Sequence, residues 1–151
     1  MCDQLHLEEM EGPAPLTMKI RLLGGENMGD WIDGHEEEIL NEADRVYQET
    51  RTKGPNILRA STVVRLLSAH RLMQLTKLIQ RFVHKKRGYN LHPSELMGSL
   101  LPILLIKKVT EWTGKSPQRA WMLLQRLPSH PETTKHDRVI RDNLRSSTPG
   151  R

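Results

Sequence analysis

The segment LMQLTKLIQRFVHKKRGY, residues 72–89, decides the fold because its apolar and basic residues separate onto two faces of a helix. The same periodicity extends back to residue 57. On a helical wheel the apolar side chains of residues 57–86 fall within an arc of about 160°, and they are Ala60, Val64, Leu67, Leu72, Leu75, Leu78, Ile79, Phe82 and Val83. Basic residues lie opposite this arc. The pattern predicts a long amphipathic helix over residues 57–86.

Some apolar residues depart from this pattern, since Val63, Leu66 and Met73 fall on the basic side. We therefore expect the helix to be covered on two sides or broken near Ser68. Gly88 is expected to end it, because glycine readily adopts the left-handed conformation that closes many helices. The basic residues just before Gly88 suit the negative end of the helix dipole.

The energy of burial indicates what the apolar face does. Burying one large apolar side chain stabilises a fold by about 1.5–3 kcal/mol, and this face carries Leu67, Leu75, Leu78, Ile79 and Phe82. A small domain has only about 5–15 kcal/mol of net stability. Exposing the face to a calmodulin-like groove or to a membrane would unfold such a domain. We therefore expect the apolar face to be core.

Further helices are predicted over residues 34–50, 94–113 and 116–127. Asp33 or Gly34 can cap the first of them. Pro102 should kink or divide the second, because proline lacks the N–H that a helix needs. The third has Ser116 as N-cap and a proline at its first position. The predicted fold class is all-α, a small bundle of four or five helices over residues 34–127, with antiparallel neighbours joined by short connections.

The segment before this bundle has the one strand-like pattern of the chain. Leu16, Met18, Ile20 and Leu22 alternate with polar residues. A strand here would pair with a second copy or with a partner, because a lone strand is unstable; otherwise the segment is simply extended. We predict an acidic, largely extended and flexible segment over residues 1–33, and a flexible basic tail containing Pro, Ser and Thr over residues 128–151.

Charge is divided unevenly along the chain. Residues 1–50 contain thirteen acidic and three basic residues, a net charge of −10, whereas residues 51–151 contain twenty basic and five acidic residues, a net charge of +15. Such asymmetry indicates either an acidic or polyanionic partner for the larger part, or two parts that screen each other.

Several classes of chemistry are not expected. Cys2 is the only cysteine, so no intramolecular disulfide and no cysteine zinc site can form. Phosphate-binding, dinucleotide, metalloprotease and nucleophile-elbow motifs are absent from the sequence, and no two histidines have helical i, i+4 spacing. We expect no enzyme activity, no cofactor and no metal. Without a signal peptide or a membrane-spanning stretch in the sequence, an intracellular location, cytoplasmic or nuclear, is expected.

The expected function is therefore contact through a basic surface. Its candidate residues are Arg59, Lys77, Arg81, Lys85, Lys86, Arg87, Lys107 and Lys108. The protein is predicted to be a small interaction protein, an adaptor, inhibitor or accessory factor of the compact kind that viruses also encode. Its expected partner is an acidic protein surface, and its own acidic first third could mask the site in cis. RNA or DNA binding by the same face is the alternative, although aromatic residues for base stacking are scarce. A membrane partner is not expected, and a homo-oligomer stays open.

Overall fold

The computed structural model describes residues 13–132, and all regular structure in this range is helical. The segments are α1 (Pro13–Arg21), α2 (Glu26–Gly34), α3 (Glu36–Lys53), α4 (Ile57–Leu66), α5 (Ala69–Arg87), α6 (Pro93–Glu95), a π-helical turn (Leu96–Leu100), α7 (Leu101–Thr113) and α8 (Pro117–Arg126). The predicted all-α class is confirmed. Residues 13–132 contain more helical segments than the four or five predicted, because α1 and α2 precede the predicted bundle.

The π-helical turn and α7 form the centre around which the other helices pack. The π turn contacts α3, α4 and α5, and α7 contacts α4 and α8. Residues 100–106 are all apolar, and Leu100, Leu101, Leu104 and Leu105 are at most 2% exposed. This part of the chain is buried because it is surrounded by helices.

The π-helical turn lies directly before Pro102, where a kink was predicted. In this turn the N–H of Leu101 donates to the carbonyl of Leu96, five residues earlier. Pro102 has no N–H to offer to the carbonyl of Gly98. The widened turn accommodates that missing bond without ending the helix. The predicted irregularity is therefore present as a π turn rather than as a division of the helix.

The helix predicted over residues 57–86 is divided in two, so of the two alternatives, a helix covered on two sides or one broken near Ser68, the break is the one present. Leu67 and Ser68 adopt extended backbone conformations between α4 and α5, and the Ser68 hydroxyl accepts a hydrogen bond of 3.2 Å from the N–H of Arg71. Because α4 and α5 can then orient independently, Val63 and Leu66 are also buried. Met73 stays 57% exposed. The second apolar stripe in the sequence thus belongs mainly to α4.

The largely extended conformation predicted for residues 1–33 is wrong for residues 13–33, and the strand that was left open for residues 16–22 does not form, because most of this range is helical. Leu16 and Ile20 are buried in α1, and Leu23 is buried just after it, at helical spacings of four and seven residues. Leu22, which the alternation placed with them, is 53% exposed. The helical conformation brings Leu16, Ile20 and Leu23 together against the core, whereas Leu23 would break the alternating pattern of a strand. Dimerisation through an exposed strand of residues 16–22 loses its basis.

Two further predictions concern the ends of helices. The N-cap position of α3 is occupied by His35 rather than by Asp33 or Gly34, because α2 continues to Gly34. Gly88 ends α5 in the left-handed conformation, as predicted, with φ of 84°. The acidic leader before residue 13 and most of the predicted tail, from residue 133 onward, lie outside the described residues.

Candidate functional site

The outer face of α5 carries a continuous row of exposed side chains, which we call the α5 stripe. Its members are His70, Met73, Lys77, Arg81, His84 and Lys85. The first and last of these are separated by about 22 Å along the helix axis, from the rise of an α-helix. The row is exposed because the opposite face of α5, which includes Leu72, Leu75 and Ile79, is buried in the core. No member of the α5 stripe is acidic.

Among the residues that the structure describes, the cations of the α5 stripe have no acidic partner. Within residues 13–132, no carboxylate lies within ion-pair distance of Lys77, Arg81 or Lys85. Two histidines, His70 and His84, lie on the same face. The charge of this face is therefore not balanced locally, and it is available to an external anion.

Three other residues of the predicted basic surface form ion pairs with the acidic helix α3. The ion pairs are Glu36–Lys86 at 3.5 Å, Asp44–Arg87 at 3.1 Å, Glu38–Lys107 at 2.7 Å and Glu42–Lys107 at 3.8 Å. These pairs run from the C-terminal end of α5 across α3 to α7. The acidic and basic parts of the sequence thus do meet, but only at one edge of the predicted basic surface.

Two of the predicted basic residues do not lie on an open surface. The Arg59 guanidinium is half-buried, 5.7 Å from the ring centre of Trp121. Lys108 is only 7% exposed, and its ammonium lies 5.3 Å from the ring centre of Trp31 and 5.2 Å from that of Trp112. Burial lowers the pKa of Lys108 below its usual value. Lys108 therefore cannot take part in docking a large partner.

Aromatic side chains near the α5 stripe are engaged elsewhere. Tyr89 stacks on Tyr47 with ring centres 4.0 Å apart, and its hydroxyl donates to Asp44 at 2.6 Å. Burial, followed by the hydrogen bond to Asp44, raises the pKa of Tyr89. Phe82 is packed against the core. The stripe thus offers charge to a partner but no aromatic ring other than the imidazoles for stacking.

Sequence reasoning did not single out Arg65, which fixes the end of α8. Its guanidinium donates to the carbonyls of Leu124, Gln125 and Leu127. The last carbonyls of a helix have no partner within the helix, so a buried end requires such donors. No local sequence signal connects α4 to residues so far along the chain.

A second unforeseen cluster lies where α2, α3 and α7 meet. The Trp31 indole donates to Glu111 at 2.9 Å and stacks on His35, whose Nε2 lies 3.7 Å from the same carboxylate. Two open cavities border this cluster, of about 580 and 470 Å³. In the described range, no group of three or more His, Cys, Asp or Glu residues is arranged to hold a metal ion.

Comparisons with other proteins give no match: no family model, no curated protein and no solved structure is significantly similar to this chain. None of the helices within residues 13–132 combines the length and the apolar character needed to cross a bilayer.

Proposed function

We propose that the protein is a non-enzymatic interaction protein that docks on an acidic protein surface through the α5 stripe. It acts by contact, as an adaptor, an inhibitor or an accessory factor. The observation that carries the proposal is the row of exposed cations, Lys77, Arg81 and Lys85, which form no ion pair with any residue between 13 and 132, on a helix whose other face is held in the core. A rigid helix presents these charges at fixed spacing without any cost of ordering a loop.

The placement of the unpaired charges supports an acidic protein as the partner. Lys77, Arg81 and Lys85 follow one another at intervals of four residues, so they form a straight row about 12 Å long. Such a row matches carboxylates that are repeated along one helix of a partner. Met73, 57% exposed beside the row, adds an adaptable apolar contact.

Nucleic-acid binding is the alternative use of the same row. The phosphates of the nucleic acid would pair with the three cations. Its bases could not stack on Tyr89 or Phe82, because Tyr89 is hydrogen-bonded to Asp44 and Phe82 is packed against the core. With few phosphate contacts, the affinity for nucleic acid would be low and would fall steeply with salt. The protein partner is therefore the better supported of the two.

The α3 ion pairs suggest that the basic surface can be extended. Lys86 and Arg87 adjoin the α5 stripe in the chain, and both form ion pairs with α3, as does Lys107 of α7. Exposed ion pairs of this kind contribute only about 0–1 kcal/mol each, so a strongly acidic partner could compete for these cations. In the free protein, pairing with α3 thus reduces the number of cations that are open to a partner.

A charge-reversal titration tests the proposal. In one variant Lys77, Arg81 and Lys85 become glutamate. In the matched control the exposed Lys53, Arg119 and Arg126 become glutamate, which changes the net charge by the same amount. Fluorescence anisotropy then measures binding of a labelled oligo-glutamate peptide and of labelled single- and double-stranded RNA, at low and moderate salt.

We expect the peptide to bind the parent chain and the control variant at low salt, but not the stripe variant. Circular dichroism should show that both variants keep the helical content of the parent. Equal loss of binding in both variants would show that only net charge matters, and would refute a defined docking face. RNA binding that is tight at moderate salt and lost only in the stripe variant would instead favour the nucleic-acid alternative.

A further inference from the structure

A buried lysine, Lys108, lies near the meeting point of α1, α2 and α7, and its ammonium makes no hydrogen bond to any residue in the described range 13–132. The ammonium of Lys108 lies 5.3 Å from the ring centre of Trp31 and 5.2 Å from that of Trp112. Its closest carboxylate oxygen among residues 13–132, Oε1 of Glu111, is 4.0 Å away, which is beyond hydrogen-bond distance. An ammonium has three N–H donors, so a ligand that enters from solvent can accept hydrogen bonds from Lys108.

The surroundings of Lys108 hold a second positive charge. The ammonium of Lys19, on α1, lies 5.4 Å from the same Trp112 ring. Burial lowers the pKa of Lys108 most, and the charge of Lys19 lowers it further, while Glu111 acts in the opposite direction. Two like charges beside one indole would both be stabilised by a negative group placed near them.

A cavity is present where such a group would bind. It has a volume of about 470 Å³ and is lined by Lys19, Lys108 and both indoles, with Leu22 at its edge. This volume is within the range of small-molecule sites, about 300–1,000 Å³. The indoles and Leu22 supply apolar walls, so the site suits a ligand that has an apolar body as well as a charged head.

The charge balance of the lining limits the charge of the ligand. Asp30 and Glu111 line the same cavity and offset the two lysines. A doubly charged phosphate would be repelled by these carboxylates, whereas a single negative charge can be held by Lys108 while its body lies against the indoles. Glu111 itself is kept in place by the hydrogen bond from Trp31.

We propose that this cavity binds a small monocarboxylate with a flat apolar body, its carboxylate accepting hydrogen bonds from Lys108 and facing Lys19. The ligand's ring packs between the cavity wall at Leu22 and the indoles. The site is separate from the α5 stripe. Lys108, which is too buried to contact a large partner, can bind a small ligand here.

Nuclear magnetic resonance of the tryptophan side chains tests the site directly. The chain has three tryptophans, so Trp121, which lies on α8, serves as an internal control for Trp31 and Trp112. Phenylbutyrate is titrated into the full chain labelled with nitrogen-15, and its neutral amide and inorganic phosphate are titrated in parallel. We expect phenylbutyrate to shift the Trp31 and Trp112 indole signals and to leave Trp121 unchanged.

Variants identify the groups responsible. Lys108→Met should weaken phenylbutyrate binding about tenfold or more, as expected for loss of a charge-assisted hydrogen bond. If this variant does not fold, Lys19→Met, on a half-buried residue, should still weaken binding severalfold, whereas Lys77→Met should have no effect. No shift at Trp31 and Trp112 would overturn the proposal. So would equal affinity for the neutral amide, or the same shifts with phosphate.

Discussion

Replacing Gly98 with alanine should destabilise the protein, although alanine is the better helix former. A Cβ atom at this position would lie 3.0 Å from Cβ of Pro55 and 3.2 Å from the backbone N of Asn56. Both belong to rigid parts of the chain, a proline ring and the backbone before α4. Neither can move without shifting α4 against the π-helical turn, which is the most extensive helix contact of the core.

The magnitude follows from two opposing effects. Alanine gains about 1 kcal/mol over glycine in a helix, whereas overpacking a rigid contact costs about 1–3 kcal/mol. The expected net loss is about 1 kcal/mol, or a decrease in Tm of about 2–4 °C for a chain of this size. The control is Gly29→Ala in α2, where no atom lies within 4 Å of the added Cβ. This variant should gain about 0.5–1 kcal/mol.

Urea unfolding followed by circular dichroism measures both variants. The two substitutions are chemically identical, so the difference between them isolates the contact at Pro55 and Asn56. Opposite changes in the unfolding midpoint, with the same slope, are expected. A Gly98→Ala variant as stable as Gly29→Ala would refute the close packing of the π turn against the start of α4.

Three further predictions follow from single contacts. Arg65→Met should cost about 2–3 kcal/mol in urea unfolding, because two carbonyls of α8 and the carbonyl of Leu127 just after it lose a charged donor. The exposed Arg126→Met should change stability by less than about 0.5 kcal/mol, and equal effects of the two substitutions would contradict this role of Arg65. Burial raises the pKa of Glu95, and the contacts of Glu95 with Arg51 offset this only in part. The native state therefore holds the Glu95 proton more tightly than the unfolded state does. The stability of the protein falls as pH rises from the pKa of Glu95 in the unfolded state to its higher pKa in the native state. The free energy of unfolding of Glu95→Gln should therefore match that of the parent at low pH and exceed it at pH 7. Urea unfolding at both pH values measures this, and a variant less stable than the parent at pH 7 would contradict the prediction. The triple substitution Glu36→Gln, Glu38→Gln and Asp44→Asn removes three carboxylates of α3 and should release the cations that they pair with. Binding of the oligo-glutamate peptide should then strengthen about threefold or more at low salt. Unchanged binding would show that α3 does not mask these cations.

Local signals predicted much of the helical framework. The break at Ser68 could be predicted because Val63 and Leu66 did not fit one straight helix, and a serine stood where a new helix could be capped. Ser116 caps α8 as predicted, accepting from the N–H of Arg119. Such features depend only on neighbours in sequence, so the printed chain is enough to locate them.

The N-terminal helices were missed because their pattern is ambiguous. Leu16 and Ile20 are four residues apart, and that spacing fits both an alternating strand and one turn of a helix. Gly24 and Gly25 follow Leu23 directly, and a pair of glycines is as typical of the end of a strand as of the end of a helix. Only contact with α4 and the rest of the core, which is not local in sequence, selects the helix.

The candidate site was predicted only in outline. The charge division indicated that acidic and basic parts could screen each other, but it could not say which cations α3 would pair with. Lys107 and Lys108 are adjacent in sequence, yet one pairs with α3 and the other is enclosed by two indoles. Which of them is exposed depends on how α2 and α3 pack on α7.

Photo-cross-linking tests the central claim, that the α5 stripe is the docking face. A photoreactive amino acid replaces Met73, which is 57% exposed on the stripe, or Met122, which is 45% exposed on α8 and serves as the control. In cells that express the protein, we expect a protein adduct from position 73 that is absent from position 122, that contains an acidic partner, and that is lost when Lys77, Arg81 and Lys85 are reversed to glutamate. Adducts of equal yield from both positions, or an adduct at position 73 that survives the charge reversal, would contradict the account.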